Sequence, residues 1–127
     1  MAVIQNNISS KKIILSCFPA IGFAALIFYL SSIPGKNMPQ LFPHQDTLFH
    51  IIEYAIFAML IARAFKACCL KISFIRIFLW VFFLSFSFAI SDEFHQAFVP
   101  GRFPSLYDVA SDSIGILIGG TFYRWLK

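Results

Sequence analysis

Charge is what this sequence has least of. Asp, Glu, Lys and Arg make up 13% of its 127 residues, about half the roughly 25% usual in soluble domains. Hydrophobic residues make up 59%, 17 of them Phe, and the mean hydropathy is +0.78. Such a composition excludes an ordinary soluble domain and points to an integral membrane protein. No Ser/Gly linker, low-complexity stretch or internal repeat divides the chain. Four spans of about 20 residues consume most of it, which leaves no room for a soluble catalytic domain. The expectation is therefore one domain, residues 1–127. A Gly-rich phosphate loop is missing too, which turns the search away from nucleotide-driven chemistry. Ser91 has no nucleophile-elbow context, and no motif diagnostic of a known membrane phosphatase is present. Cys17, Cys68 and Cys69 give no sign of a disulfide framework, and they read as small apolar filler.

Long apolar runs are what the chain has in abundance. The gaps between charges place spans at about 13–33, 48–65, 72–90 and 106–126, an all-α integral membrane bundle of about four transmembrane helices. Residues 13–33 run longer than the apolar core of a signal peptide and lack a clear small-residue cleavage pattern, so they are expected to be a retained anchor. Lys and Arg fix the orientation, because positive residues in short loops stay on the cytoplasmic side. Lys11, Lys12, Arg63, Lys66, Lys71, Arg76, Arg124 and Lys127 fall on one side, against Lys36 and Arg102 on the other. Both termini are then expected in the cytoplasm, with loops 34–47 and 91–105 facing outward from the inner membrane of a bacterium. The net charge of +4 thus averages a basic inner rim with an acidic outer mouth. It signals topology, not nucleic-acid binding.

The scarce polar residues are not scattered. Four of the six carboxylates, Asp92, Glu93, Asp108 and Asp112, share the window SDEFHQAFVPGRFPSLYDVASD with His95, Gln96 and Arg102. Ionisable groups at or inside a bilayer cost free energy, so their retention marks a candidate site. Helical spacing shows which can meet. Asp46, His50 and either Glu53 or Tyr54 recur at i, i+4 and i+7 or i+8 on one face of span two. Ser85, Ala89, Asp92 and Gln96 define a face of span three, with His95 one step aside, ending at a Pro100-Gly101 reversal. Asp108, Asp112, Gly115 and Gly119 share a face of span four, and the two glycines give the small-xxx-small spacing that lets helices approach closely. Three stripes entering from the same membrane side are expected to converge on one outward-facing polar pocket.

The pieces DTLFHIIEYAIFAML and SDEFHQAFVPGRFPSLYDVASDSIGILIGG resemble the signature of VanZ-like membrane proteins over about residues 46–120. The shared features are an Asp, a His four residues on and a Tyr, then SDE-x-HQ, a Pro-Gly-Arg turn, and an Asp before a Gly-rich helix. Asp112 stands where the family usually has Asn. The resemblance implies a bacterial inner-membrane protein of a family whose named member lowers susceptibility to teicoplanin. It supplies no biochemical activity.

The residues support a site that binds or modifies an envelope molecule, a lipid-linked cell-wall intermediate or a polar lipid head group. Arg102 and Lys36 are candidates to hold a phosphate. His95 with Asp92, or His50 with Glu53, are candidate acid/base pairs. Asp112 is a further catalytic candidate, and Asp46, Glu53, Tyr54, Glu93, Gln96, Arg102 and Asp108 are candidates for binding. Each residue also has a plainer role open to it. Asp46 caps span two, and Ser105 with Asp108 forms a capping box for span four. Glu93 is a solvated loop charge, His44 an exposed loop histidine, and Asp112 half of a buried ion pair. Arg102 pairs with a neighbouring carboxylate or an anionic head group. Alternatives from other classes are a metal site built from His50, His95 and Asp92 or Asp112, a proton-coupled transporter, and a non-catalytic assembly protein. No cofactor and no oligomeric state follow from the sequence, and the bilayer is the one assured partner.

Overall fold

In hydrocarbon every backbone N–H and C=O must be satisfied within its own segment, which selects helices for apolar runs of this length. The computed structural model describes residues 9–69 and 71–125 and has four α-helices. They are α1 (Ser10–Ser31), α2 (Gln45–Cys68), α3 (Phe74–Gln96) and α4 (Leu106–Phe122). The first three have 22, 24 and 23 residues and are long and apolar enough to cross a membrane, about 33 to 36 Å at 1.5 Å per residue. The fourth has 17 residues and carries Asp108 and Asp112. A 3-10 turn, Tyr123–Trp125, follows it, so span four ends earlier than expected. Leu126, its expected last residue, lies outside the described residues.

The largest departure from the expected bounds is in α3. A charge-gap reading stops it at Ile90, because Ser91, Asp92 and Glu93 resemble the start of a loop. The helix instead continues through Gln96. Asp92 and Glu93 are buried there, bonded to Ser31 and to the Ser105 amide respectively. A carboxylate with a hydrogen-bond donor of its own tolerates a helix wall where a bare one does not.

Helices α2 and α4 pack most closely, and two glycines make this possible. A Cβ on Gly115 would run into the Ile51 carbonyl oxygen, and one on Gly119 into the Ala55 carbonyl oxygen. Helix α1 lies against α2 and touches α3 only lightly. The core between them comprises Ile27, Tyr54, Phe57, Ala58, Ile61, Ile77, Val81, Ala89 and Ile116. Tyr54, Phe57 and Phe88 form an aromatic cluster, with Phe57 and Phe88 centroids 5.1 Å apart. Ile14, Phe18 and Ile21 of α1 and Leu79, Trp80 and Phe83 of α3 are exposed, as suits helices whose solvent is lipid.

All six carboxylates gather at one end of the bundle, where the C-termini of α1 and α3 meet the N-termini of α2 and α4. Two turns close that end. The Gly35 amide donates to the Pro100 carbonyl at 3.1 Å, and a Cβ on Gly35 would strike the Gly101 carbonyl. Gly101 itself has φ +76°, a conformation L side chains rarely adopt.

Candidate functional site

The helical spacing of α2 carries through to three dimensions at Asp46, His50 and Glu53. These three line a cavity of about 250 Å³ at the acidic end, with Asp92 and Gln96 from α3, Arg102 from the α3–α4 loop and Ser31 from α1. Ile27, Leu30, Met38 and Phe49 form its apolar wall. A second hollow of about 270 Å³ shares Met38, Asp46, His50, Gln96 and Arg102 with the first, and Asp108, Gly35, Gly101, Gln40 and Phe103 complete it. Five shared residues make the two hollows adjoining parts of one recess.

Hydrogen bonds hold the polar walls. His50 Nδ1 lies 2.8 Å from Asp112 Oδ1, a contact between α2 and α4. Asp112 is almost wholly buried while His50 keeps some exposure. With Nδ1–H donating to Asp112, the carboxylate orients the ring and leaves Nε2 as the nitrogen that can exchange a proton, the arrangement of an acid/base histidine. Asp92 accepts at one oxygen from Ser31 Oγ at 2.6 Å and faces Gln96 Nε2 at 3.4 Å with the other. His95 is bonded elsewhere: its Nε2 is 2.9 Å from Ser32 Oγ, and its ring stacks on Phe28 at 4.2 Å. The expected partners are thereby redistributed. His50 pairs with Asp112 where Glu53 was a candidate, and His95 pairs with Ser32 where Asp92 was.

Arg102 neither pairs with a carboxylate nor projects as a free cation. Its Nε donates to the Ile33 carbonyl at 3.1 Å and its Nη2 to the Leu30 carbonyl at 3.3 Å. A guanidinium there satisfies the Ile33 carbonyl, adds a second donor to the Leu30 carbonyl that already accepts from the Ile33 amide, and opposes the negative end of the helix dipole. Lys36, the other phosphate candidate, is exposed and lines neither hollow.

Glu93 is no solvated loop charge. It is 7% exposed, and its Oε1 accepts from the Ser105 amide at 2.5 Å. Ser105 is the N-cap of α4, its Oγ accepting from the Tyr107 amide at 3.1 Å. In a capping box the return bond to the N-cap amide comes from the third residue of the same helix. Here Glu93 of α3 makes it, and Asp108 is left lining the recess. Asp46 caps nothing either: the N-cap of α2 is the exposed His44, at φ 59°, without a side-chain cap bond. Asp46 lines both hollows.

Tyr54 sits apart from this recess. Its side chain is wholly buried in the aromatic core, and its hydroxyl and that of Ser85 have no hydrogen-bond partner among the described residues. The i+7 alternative in α2, Glu53, is the one that reaches the cavity.

Three stripes thus meet, and α1 adds a fourth wall that sequence patterning gives no reason to include. Ser31 and Ser32 follow an unbroken apolar run, and nothing local marks them as partners of Asp92 and His95, 61 and 63 residues on. Gln45 is likewise a buried anchor, accepting from the Leu41 amide and donating to the Pro39 carbonyl. Among the described residues no group of three His, Cys, Asp or Glu is placed to hold a metal ion. The triad of His50, His95 and Asp92 is divided among Asp112, Ser32 and Ser31.

A family model described as VanZ/LLP1 matches residues 16–127, nearly the whole chain. Among curated proteins and among solved structures nothing matches.

Proposed function

The chain belongs to the VanZ/LLP1 family, and we propose that it is a membrane protein whose acidic recess binds the polar head group of a cell-envelope amphiphile, a lipid or lipid-linked cell-wall intermediate. The observation that carries this proposal is the mixed lining of the 250 Å³ cavity. Asp46, His50, Glu53, Asp92, Gln96 and Arg102 line it beside Ile27, Leu30, Met38 and Phe49. A head group joined to an apolar chain needs both surfaces side by side. The positive-residue count supports an outward orientation of this recess in the cytoplasmic membrane.

Three carboxylates line the cavity against one guanidinium and one imidazole, so the head group it suits is rich in O–H or N–H donors, as a sugar or an amine is. Two nitrogens of Arg102 are engaged by carbonyls, which leaves Nη1 for an anionic oxygen. Hydrolysis or group transfer on the bound molecule draws on the His50–Asp112 pair, whose less buried partner, His50, borders both hollows. Sequestering or altering an envelope precursor also supports lowered susceptibility to teicoplanin-type lipoglycopeptides.

The test uses purified full-length protein in nanodiscs, probed with a lipid-linked cell-wall disaccharide intermediate and, separately, with phosphatidylethanolamine. Wild-type protein is expected to bind at least one probe. Asp46→Asn and Glu53→Gln, which alter the lining without breaking a bond described above, are expected to weaken it about tenfold, the loss of roughly one hydrogen bond to a charged group. Susceptibility of expressing cells to teicoplanin at matched membrane abundance is the cellular readout. Binding that ignores both substitutions, or no binding of either probe, overturns the proposal.

A further inference from the structure

At the opposite, basic end of the bundle, Cys17 Sγ of α1 and Cys68 Sγ of α2 lie 3.9 Å apart, although 51 residues separate them in sequence. Both are half-buried, and Cys69 beside them is exposed. Cys68 is the last residue of α2, and Cys69 already leaves helical geometry at φ −125°, ψ 77°. Arg63 Nη2 reaches the Leu15 carbonyl of α1 at 3.4 Å, a second contact between the two helices near this pair.

We propose that Cys17 and Cys68 form an oxidisable dithiol, a modification site whose co-reactant is a hydroperoxide and whose product is a disulfide between α1 and α2. A disulfide needs its sulfurs about 2.05 Å apart. The remaining approach of about 1.9 Å is within what χ1 rotation and the end position of Cys68 supply. In the first step one thiol, as thiolate, attacks a peroxide oxygen. The O–O bond breaks, the alcohol or water leaves with the thiol proton, and the sulfur becomes a sulfenic acid. In the second step the other thiolate attacks that sulfur, the S–S bond forms, and the hydroxyl leaves as water with the second thiol proton. Two electrons pass from the sulfurs to the peroxide, and no other reactant is needed. The cross-link fixes α1 to α2 about 21 Å along the helix from Ser31, at 1.5 Å per residue.

The experiment treats membranes holding the full-length protein with hydrogen peroxide, quenches with acid, and labels free thiols before and after reduction. Peptide mapping then identifies the bridge. Wild-type protein is expected to lose label at Cys17 and Cys68 together, regain it on reduction, and yield a Cys17–Cys68 peptide. Cys69→Ser should behave the same way. Cys68→Ser should form a disulfide at Cys17 at least about tenfold more slowly, because capture of the sulfenic acid by a neighbouring thiol outruns encounter with another chain. A bridge through Cys69, a bridge only between chains, or irreversible oxidation without a bridge overturns the proposal. The wild-type map decides this even if a variant fails to fold.

Discussion

His50 and Asp112 meet at 2.8 Å because the helices that carry them pack without room for a side chain one turn away. Gly115, three residues after Asp112, presses its Cα face on the Ile51 carbonyl, next to His50. A short histidine and a shorter aspartate can then span the interface without extended side chains. Packing and site chemistry are one arrangement at this point.

Coupling between the pair is the first consequence. His50→Ala and Asp112→Ala each leave a buried polar partner unmatched, and each is expected to lower stability by about 1 to 3 kcal/mol. The double variant should cost less than the sum, with a coupling energy of about 0.5 to 3 kcal/mol. Unfolding in mixed micelles measures all three, and strict additivity would show that the pair does not interact. Asp112→Asn keeps a hydrogen bond but removes the charge, so it should fold well while losing head-group binding.

The glycines differ from one another in a measurable way. Gly119→Ala places a methyl against the Ala55 backbone carbonyl, and Gly115→Ala against that of Ile51. Backbone cannot move aside as a side-chain tip can, so each should destabilise by about 1 to 3 kcal/mol or more. Gly22 in α1 has nothing within 4 Å of an added Cβ, and Gly22→Ala should gain up to about 1 kcal/mol from helix propensity. Equal effects at the three positions in the same unfolding assay would contradict the packing described.

How much of this was legible in the sequence depended on the distance over which each contact acts. The stripe of Asp46, His50 and Glu53 and the pairing of Gly115 with Gly119 are local periodicities, and both appear where spacing put them. The ends of α3 and the roles of Glu93 and Arg102 were hidden. Their partners, the Ser105 amide and the carbonyls of Leu30 and Ile33, are backbone groups that no residue pattern advertises. Ser31 and Ser32 carry no local sequence signal for a related reason. Hydroxyls following an apolar run satisfy themselves on the preceding turn, as both do on the Phe28 carbonyl, and their second bonds depend on how α1 meets α3.

Glu93 and Asp108 should respond in opposite ways. Glu93→Ala strips a half-buried amide at the start of α4 of its acceptor and is expected to cost about 1 to 3 kcal/mol. Glu93→Gln, which keeps an acceptor oxygen, should recover most of that. Asp108→Asn, in the recess rather than in the cap, should leave stability within about 0.5 kcal/mol of wild type while weakening head-group binding. Thermal unfolding and probe binding on the same preparations separate the two. A larger stability loss at Asp108 than at Glu93 would return the capping role to Asp108.

Arg102 gives the most specific expectation. Its fork reaches two carbonyls three residues apart, Leu30 and Ile33, which suits a planar guanidinium with fixed donors and does not suit an ammonium. Arg102→Lys keeps the charge and so keeps the long-range attraction for an anionic oxygen, but it should release the end of α1. The turn after α1 is held by the Gly35 amide on the Pro100 carbonyl and by the Asn37 amide on the Pro34 carbonyl. Amide exchange at Gly35 and Asn37 should therefore quicken in Arg102→Lys, by about tenfold if local opening becomes easier by about 1.4 kcal/mol. Exchange in the middle of α2 and α3 should stay unchanged. If Arg102 served only to attract an anion, Arg102→Lys would leave both amides protected and only Arg102→Ala would lose binding. Faster exchange confined to the α1 end, with charge retained, is the signature of a guanidinium that builds the wall of the recess.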